Sequence, residues 1–285
     1  MQKTKLITLD LDGTLLRSDK SLSERNFEAL KAASEAGVEI VPCTGRYYGG
    51  MPKVIRDLPF VRYVITINGA AIADLKEDRL LDETLIPNEE AVAIMEYFDT
   101  LPVIYDCYKE KGSYMTRTMI ESCESYCDDV HFIEMIRVLR EPVPELKAWL
   151  KNRGGGVQKV MLFTLDKALR KKELETLSGR FENLSVSSSV PSNIEINHRD
   201  ANKGTALRKL AKRLKITIPE TMAFGDGLND LPMICDAGIG VVMDNASEEV
   251  KKHADLIAPK NDEDGVAKVI EKLVLSQERT SDGTV

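Results

Sequence analysis

Several features are scarce in this sequence, and each shortage narrows the range of proteins to which it can belong. No stretch approaches the roughly 18 consecutive apolar residues that a membrane-spanning helix needs. The first strand-like segment begins at Leu6, which leaves little room for a targeting segment before it. We therefore expect a cytoplasmic protein.

Basic residues are fewer than acidic ones. The 39 Lys and Arg residues face 46 Asp and Glu residues, which gives a net charge of −7. This balance argues against a nucleic acid or an anionic membrane as the main partner. Any phosphate site must therefore draw its positive charge from residues close to it.

Cysteine is scarce and scattered. The five cysteines are an odd number, which fits a reducing compartment better than a framework of disulfides. Cys123 and Cys127 are one helical turn apart, but no second Cys or His pair with the spacing of metal ligands accompanies them. We expect free thiols.

Short apolar strands and amphipathic helices, by contrast, alternate regularly at both ends of the chain. The 285 residues, 43% hydrophobic and 30% charged, are enough for one large domain or two unequal ones. A strand from Leu6 is followed by a helix, for which Ser21 and Glu24 match a capping box and which should end at Gly37. Strands follow at 38–43 and 63–67, and the alternation resumes with a helix that starts at Lys203. Such βα units predict an α/β fold with a doubly wound, mainly parallel sheet.

The alternation is interrupted in the middle of the chain. A hairpin near 71–81 leaves the sheet, and the next hundred or so residues mix helices with strands in no βα order. We predict a catalytic core formed by residues 1–81 and 196–285, with an α+β domain inserted at 82–195. The polar residues 276–285 should form a mobile tail.

The first strand runs into Asp10-Leu11-Asp12-Gly13-Thr14. Carboxylates at positions i and i+2 of extended backbone point the same way, and holding them together is costly unless a cation or a proton shares them. Mg²⁺ suits such a pair because it prefers hard oxygen ligands. The structural alternative is a solvated, Asp-rich turn.

Other polar residues lie at later strand ends or helix starts: Thr44, Lys203, Asp226, Asn229 and Asp230. The carboxyl ends of parallel strands open on one edge of a sheet, so these groups can converge there. Phosphoryl transfer needs such an inventory of a nucleophile, a divalent cation and fixed donors. Taken singly, each has a structural alternative, since Thr44 could be a turn residue, Lys203 a surface charge and Asp230 a helix cap.

With these motifs the chain resembles the haloacid dehalogenase superfamily of phosphohydrolases, and in particular its Cof-type sugar phosphatases, whose α/β cap is inserted between the second and third motifs. The resemblance covers nearly the full chain. The four motifs, in order, are Asp10-Leu11-Asp12-Gly13-Thr14, Thr44-Gly45-Arg46, Lys203-Gly204 and Gly225-Asp226-Gly227-Leu228-Asn229-Asp230.

The resemblance implies a Mg²⁺-dependent phosphatase that acts on small phosphomonoesters such as sugar phosphates. Asp10 would attack phosphorus and become an aspartyl-phosphate, while Asp12 would protonate the leaving group and then deprotonate the attacking water. Mg²⁺ would be held by the Asp10 carboxylate, the main-chain carbonyl of Asp12 and Asp226, with Asp230 steadying the loop. The phosphoryl oxygens would be bound by Leu11, Thr44, Gly45, Lys203 and Asn229.

Arg46, Asn68 and His198 are candidate substrate contacts beside this set. The loop 197–202, which precedes Lys203, is more polar and charged than the family usually shows, and this bears on how substrate is contacted. Asp244 stands where the family commonly has glycine, a departure that should leave the chemistry untouched. A cap-sized insertion favours a small substrate, since a cap can exclude water and select what enters.

Two other functions stay open at this point. A phosphosugar mutase of the same superfamily would use the same groups but keep water away from the aspartyl-phosphate. A phospho-acceptor signalling module also uses Asp and Mg²⁺ on a doubly wound sheet. Asp12 argues against the module, because a protein that must keep its aspartyl-phosphate has no use for a general acid/base two residues from the nucleophile.

Overall fold

The computed structural model describes residues 3–276, which divide into two units. The first unit holds the residues up to Arg46, Met51–Asp82 and the described residues from Asn202 onward. The second holds Tyr47–Gly50 and Glu83–Ala201. Of the tail predicted at 276–285, all but Ser276 lies outside the described residues. Within 3–276, no helix combines the length and the apolar character that crossing a membrane requires.

The first unit begins with a strand–helix–strand sequence. Its elements up to the insertion are β1 (Leu6–Leu9), α1 (Glu24–Glu35), β2 (Glu39–Pro42), α2 (Lys53–Arg56), β3 (Tyr63–Thr66), β4 (Ala71–Asp74) and β5 (Arg79–Glu83). Ser23 caps α1 by accepting the N–H of Asn26, and Gly37 follows the helix with φ of +86°. The capping box predicted at Ser21 is wrong, because the amide and hydroxyl of Ser21 bond to Asp19 in a local turn.

The second unit is an α+β structure. It contains β6 (Ile86–Pro87), α3 (Asn88–Phe98), β7 (Ile104–Lys109), β8 (Gly112–Thr116), α4 (Arg117–Glu121), α5 (Val130–Leu139), β9 (Arg140–Val143), α6 (Leu146–Lys151), β10 (Gly156–Val157), β11 (Lys159–Phe163), α7 (Lys167–Arg180), β12 (Leu184–Ser187) and β13 (Asn193–His198). Six strands form one sheet in the order β12-β13-β11-β7-β8-β9, antiparallel except between β8 and β9. The predicted end of the inserted domain, residue 195, lies inside β13.

The two faces of this sheet differ in chemistry. Cys107 and Ile196 lie on the face that packs against apolar side chains of α3, α6 and α7. Because side chains alternate along a strand, their neighbours Asp106 and Glu195 lie on the opposite face. That face carries two buried ion pairs, Asp106–Arg140 and Lys159–Glu195.

The chain then returns to the first unit. The remaining elements are α8 (Lys203–Leu214), β14 (Thr221–Gly225), α9 (Leu231–Asp236), β15 (Ile239–Met243), α10 (Glu248–Lys251), β16 (Leu256–Ala258) and α11 (Gly265–Ile270). Five strands form a parallel sheet in the order β16-β15-β14-β1-β2. The predicted α/β fold with a parallel sheet is therefore confirmed, and β16 is an additional strand that the sequence analysis did not find.

The strand β3 departs from the predicted series of βα units. It pairs antiparallel with β4, and a single parallel bridge between Cys43 and Ile65 connects it to β2. Only four residues separate β3 from β4, whereas a parallel crossover needs a dozen or more. The chain therefore reverses, and β3, β4 and β5 form an antiparallel extension.

Helix α8 packs against the parallel sheet. Its side chains Leu207, Leu210 and Ala211 are buried in one core with Leu6 of β1 and Val41 of β2. Burial of each leucine stabilises this packing by roughly 1.5–3 kcal/mol. The apolar stripe predicted for this helix thus fixes the position of its first turn.

Candidate active site

The register of the parallel sheet brings three loops to one edge. Leu9, the last residue of β1, lies opposite Pro42 of β2 and Phe224 of β14. β1 and β2 end at this level and β14 ends one residue further, at Gly225, so the residues that follow the three strands are neighbours. One or two positions further along, these are Asp10, Thr44 and Asp226.

Lys203, the first residue of α8, lies between two carboxylates. Its Nζ is 2.5 Å from Oδ1 of Asp10 and 2.6 Å from Oδ1 of Asp230, and its side chain has no exposed surface. Burial opposes the charge on Lys203, but the two carboxylates raise the pKa of its ammonium above the usual value. Burial raises the pKa of Asp10 to about 7, although Lys203 opposes that shift. The arrangement therefore gathers more negative charge than one lysine neutralises.

The first and fourth motifs pack directly on each other. Thr14 donates its hydroxyl to Oδ1 of Asp226 at 2.8 Å. Gly13, with φ of +86°, lies against the same carboxylate, and a Cβ on Gly13 would be 2.4 Å from Oδ2 of Asp226. Burial raises the pKa of Asp226, against the effect of the Thr14 hydrogen bond. Glycine and threonine in the first motif thus position a carboxylate of the fourth.

A metal ion fits this set of oxygen atoms. Carboxylate oxygens of Asp10, Asp226 and Asp230 lie within 4.8 Å of one another, and hard oxygen donors are the ligands that Mg²⁺ prefers. Asp230 already uses both of its oxygens, however. Oδ1 accepts from Lys203, and Oδ2 accepts from the N–H groups of Asp226 and Gly227 at 2.9 Å. Asp10 and Asp226 are therefore better placed to hold an ion, while Asp230 fixes the loop.

The carboxylate of Asp12 faces two cations. Nζ of Lys20 lies 2.8 Å from Oδ1, and Arg46 donates to both oxygens at 3.2 and 3.3 Å. Burial acts to raise the pKa of Asp12, but the hydrogen bonds from Lys20 and Arg46 hold it below its usual value. Arg46, predicted as a substrate contact, thus contacts Asp12 here. Lys20 was not identified in the sequence, because it lies in a polar turn with a left-handed φ of 67° that no motif marks.

The residues predicted to bind phosphate lie in neighbouring loops. Thr44 is almost completely buried, and its Oγ1 accepts the N–H of Arg46 at 3.2 Å. Asn229 donates from Nδ2 to Oδ1 of Asn68 at 3.2 Å. The amide of Asn68 also lies against Gly45. Hydroxyl and amide groups are therefore close together at this edge of the sheet.

Leu11 and His198 complete the predicted set. Leu11 is completely buried, and its role in binding phosphate through the main chain stays a prediction. His198 is the last residue of β13 in the second unit, and its Nδ1 accepts the N–H of Asp200 at 3.2 Å. The loop predicted at 197–202 is therefore wrong for its first two residues, because both pair with β12.

Two asparagines outside the four motifs, Asn245 and Asn261, bond to the main chain in and just after the first motif. Asn245 donates from Nδ2 to the carbonyl oxygen of Gly13 at 2.8 Å and accepts the N–H of Asn261 at 3.1 Å. Asn261 in turn donates to the carbonyl oxygen of Leu16 at 3.0 Å. Asn245 directly follows Asp244, the departure from the family pattern noted above. Its polar neighbours in the sequence give no signal of these contacts, which join segments more than 200 positions apart.

Comparisons with known proteins agree with this geometry. A family model described as haloacid dehalogenase-like hydrolase matches residues 7–270, which include all four motifs. The chain belongs to this family. The hydrolase is 33% identical to the phosphatase YwpJ of Bacillus subtilis (strain 168), over 95% of this chain and 100% of that protein. It is 32% identical to the 5-amino-6-(5-phospho-D-ribitylamino)uracil phosphatase YcsE of the same organism, over 95% and 96% of the two chains.

Solved structures lead to the same family. A haloacid dehalogenase-like hydrolase from Bacteroides thetaiotaomicron matches with a TM-score of 0.79 at 31% identity, over 95% of this chain and 99% of that one. The family predicted from the four motifs is thus confirmed. The hydrolase is a phosphomonoester phosphatase.

Proposed function

We propose that the hydrolase is a Mg²⁺-dependent phosphatase that forms an aspartyl-phosphate on Asp10. The observation that supports this most strongly is the 2.5 Å contact between Asp10 and the buried ammonium of Lys203. Lys203 favours the ionised, nucleophilic form of Asp10 and adds positive charge where the phosphoryl oxygens would lie. A nucleophile beside a fixed cation is what phosphoryl transfer requires.

The reaction would take place in two displacements. In the first, an Asp10 oxygen bonds to phosphorus, the bond from phosphorus to the ester oxygen breaks, and Asp12 gives that oxygen a proton. In the second, Asp12 takes a proton from water, and the water oxygen attacks phosphorus. The bond between Asp10 and phosphorus then breaks, which releases inorganic phosphate and leaves Asp12 protonated for the next cycle. The contacts of Lys20 and Arg46 favour the ionised Asp12 that the second displacement needs.

Mg²⁺ would be held by the carboxylates of Asp10 and Asp226 and by the main-chain carbonyl of Asp12. When bound, the ion supplies positive charge that offsets the charges of Asp10 and the phosphoryl group. Thr14 orients Asp226 for this role through its hydrogen bond. The donors of Thr44, Lys203 and Asn229 and the main chains of Leu11 and Gly45 would bind the phosphoryl oxygens.

We assign the choice of substrate to the second unit, as the α+β cap that the resemblance implies. The name of the relative YcsE specifies a substrate with a phosphorylated ribitylamino group. The Cof-type resemblance points to sugar phosphates. A phosphate ester of a sugar or a sugar alcohol is therefore the substrate class that we propose.

Release of inorganic phosphate from a panel of phosphomonoesters tests this function. The panel should contain hexose, pentose and sugar-alcohol phosphates together with the substrate of YcsE, each with Mg²⁺ and with excess chelator. We expect metal-dependent release, which Asp10→Asn lowers by roughly a thousandfold or more. Asp244→Asn, which changes an exposed carboxylate paired with Lys251, should retain it.

Two results would contradict the proposal. One is release that persists in the chelator, and the other is undiminished release by a folded Asp10→Asn protein. Movement of the phosphoryl group between positions of one sugar, followed by ³¹P NMR without free phosphate, would identify the mutase instead.

A further inference from the structure

A short left-handed turn follows β3 at the edge where the phosphate-binding residues lie. Its residues Ile67, Asn68 and Gly69 have φ angles of 54°, 54° and 100°. Glycine adopts such angles freely and asparagine tolerates them, but a β-branched residue such as Ile67 is strained there. Strain of this kind persists only where the surrounding structure holds it, and it concentrates at functional sites.

Backbone hydrogen bonds hold this turn against the second motif. The N–H of Ile67 donates to the carbonyl oxygen of Arg46 at 2.9 Å, and the N–H of Asn68 donates to that of Thr44 at 3.0 Å. Since the amides bond to a neighbouring loop, the turn and the Thr44 loop are fixed to each other.

On its other side the turn packs against the start of α8. A Cβ on Gly69 would lie 2.2 Å from the carbonyl oxygen of Asn202, the residue before Lys203. No side chain fits at position 69, so the backbone of the turn approaches the helix as closely as glycine allows. The turn is thus fixed between the Thr44 loop and Asn202, which directly precedes Lys203.

The side chain that this turn presents is the amide of Asn68. Its Oδ1 accepts from Nδ2 of Asn229 at 3.2 Å. The same amide lies against Gly45, where a Cβ would come within 3.0 Å of Oδ1. Asn68 therefore touches two of the loops whose donors are assigned to the phosphoryl oxygens, at Gly45 and at Asn229.

We propose that Asn68 is a positioning residue that orients the amide of Asn229 for phosphate. This inference rests on the proposed function of the site. The Nδ2 group of Asn229 has two hydrogens, of which one bonds to Asn68 and the other is left for an acceptor. A donor that is oriented before the ligand arrives loses less freedom on binding, so it binds more tightly.

Asn68→Gly tests this role without adding strain, because glycine accepts the left-handed angle. We expect the Kd of inorganic phosphate, measured by calorimetry with Mg²⁺, to rise about tenfold, and kcat/KM for the best ester of the panel to fall by a similar factor. Lys215→Gly is the matched control, since Lys215 is left-handed with φ of 58° at the opposite end of α8. It should bind phosphate like the unchanged protein. An Asn68→Gly protein that binds phosphate within twofold of wild type would overturn the inference.

A double-mutant cycle shows whether Asn68 acts through Asn229. Asn229→Ala alone should weaken phosphate binding at least as much as Asn68→Gly. Adding Asn68→Gly to Asn229→Ala should then cause little further loss, because the group that Asn68 orients is already gone. If the losses of phosphate affinity caused by the two single substitutions multiplied in the double variant, Asn68 would act in another way.

A second variant keeps the test decisive if Asn68→Gly does not fold. Asn68→Ala removes the Oδ1 acceptor and adds no charge, although a Cβ at the left-handed angle is strained. It should bind phosphate more weakly than wild type by about tenfold, and unchanged affinity would overturn the inference.

The phosphate-binding readout also separates this inference from the proposed function. Wild-type protein that binds phosphate but releases none from any ester would refute the proposed hydrolysis alone. A wild-type protein that binds no inorganic phosphate would overturn the inference whatever its activity.

Discussion

Nζ of Lys203 lies 2.6 Å from Oδ1 of Asp230, and neither side chain has more than a trace of exposed surface. With Asp10 on its other side, the ammonium lies within hydrogen-bond distance of two buried carboxylates. Removing one partner of a buried ion pair leaves the other charge uncompensated, which costs more than the pair itself contributes. The lysine should therefore matter for stability as well as for catalysis.

Lys203→Met should lower the free energy of unfolding by about 3–5 kcal/mol, because Asp10 and Asp230 lose their buried cation. It should also abolish phosphatase activity. Urea denaturation and a phosphate-release assay measure the two effects.

The matched control lies on the same helix. Lys209 pairs with Asp82, and both side chains are well exposed. Exposed pairs contribute roughly 0–1 kcal/mol, so Lys209→Met should change stability little and keep activity. Equal stabilities of the two variants would contradict the assigned role of Lys203.

The raised pKa of Asp10 makes a prediction about pH. A carboxyl group whose pKa rises from about 4 in the unfolded chain to about 7 in the folded one binds more protons in the folded state over that window. Its contribution to the free energy of unfolding therefore falls as pH rises through the window and is constant above it. Asp10→Asn lacks this pH-dependent contribution, because an amide does not titrate. In chelator, the stability of Asp10→Asn relative to wild type should increase from about pH 4 to about pH 7, whereas parallel curves would show that Asp10 has no raised pKa.

Mg²⁺ should raise the melting temperature, and more at about pH 8 than at about pH 5, because the ion competes with protons for Asp10 and Asp226. Thermal unfolding with increasing Mg²⁺ measures this shift. Asp226→Asn removes one proposed ligand and should abolish most of it. Asp244→Asn should keep it. The same shift in both variants would place the metal elsewhere.

Much of this site could be predicted from the sequence because its residues directly follow strands. Asp10 and Asp226 reach the same edge by the register of a parallel sheet, and register depends on the apolar pattern of the strands. The burial of Lys203 follows from the apolar stripe of α8, which fixes the first turn of the helix.

What the sequence did not predict depends on contacts between distant segments or on unusual backbone. Asn245 and Gly13 are 232 positions apart, and no local pattern records their hydrogen bond. Lys20, which contacts Asp12, is itself a left-handed residue in a polar turn. The antiparallel pairing of β3 was not predicted, because a short apolar run is compatible with a parallel or an antiparallel strand.

Gly13 and Gly37 offer a comparison in which the backbone angle is the same and only the surroundings differ. Both have φ of +86°, so alanine at either position is strained by about 1–2 kcal/mol. A Cβ at Gly37 meets nothing within 4 Å, whereas one at Gly13 would lie 2.4 Å from Oδ2 of Asp226. Gly37→Ala should therefore lose stability and keep activity. Gly13→Ala should also displace Asp226, and a shift of this kind lowers kcat/KM by about a hundredfold. Urea denaturation and kcat/KM, measured on both variants, separate the two effects. If Gly13→Ala kept the kcat/KM of Gly37→Ala, the position of Asp226 would not matter for turnover, and its assignment as a metal ligand would fail.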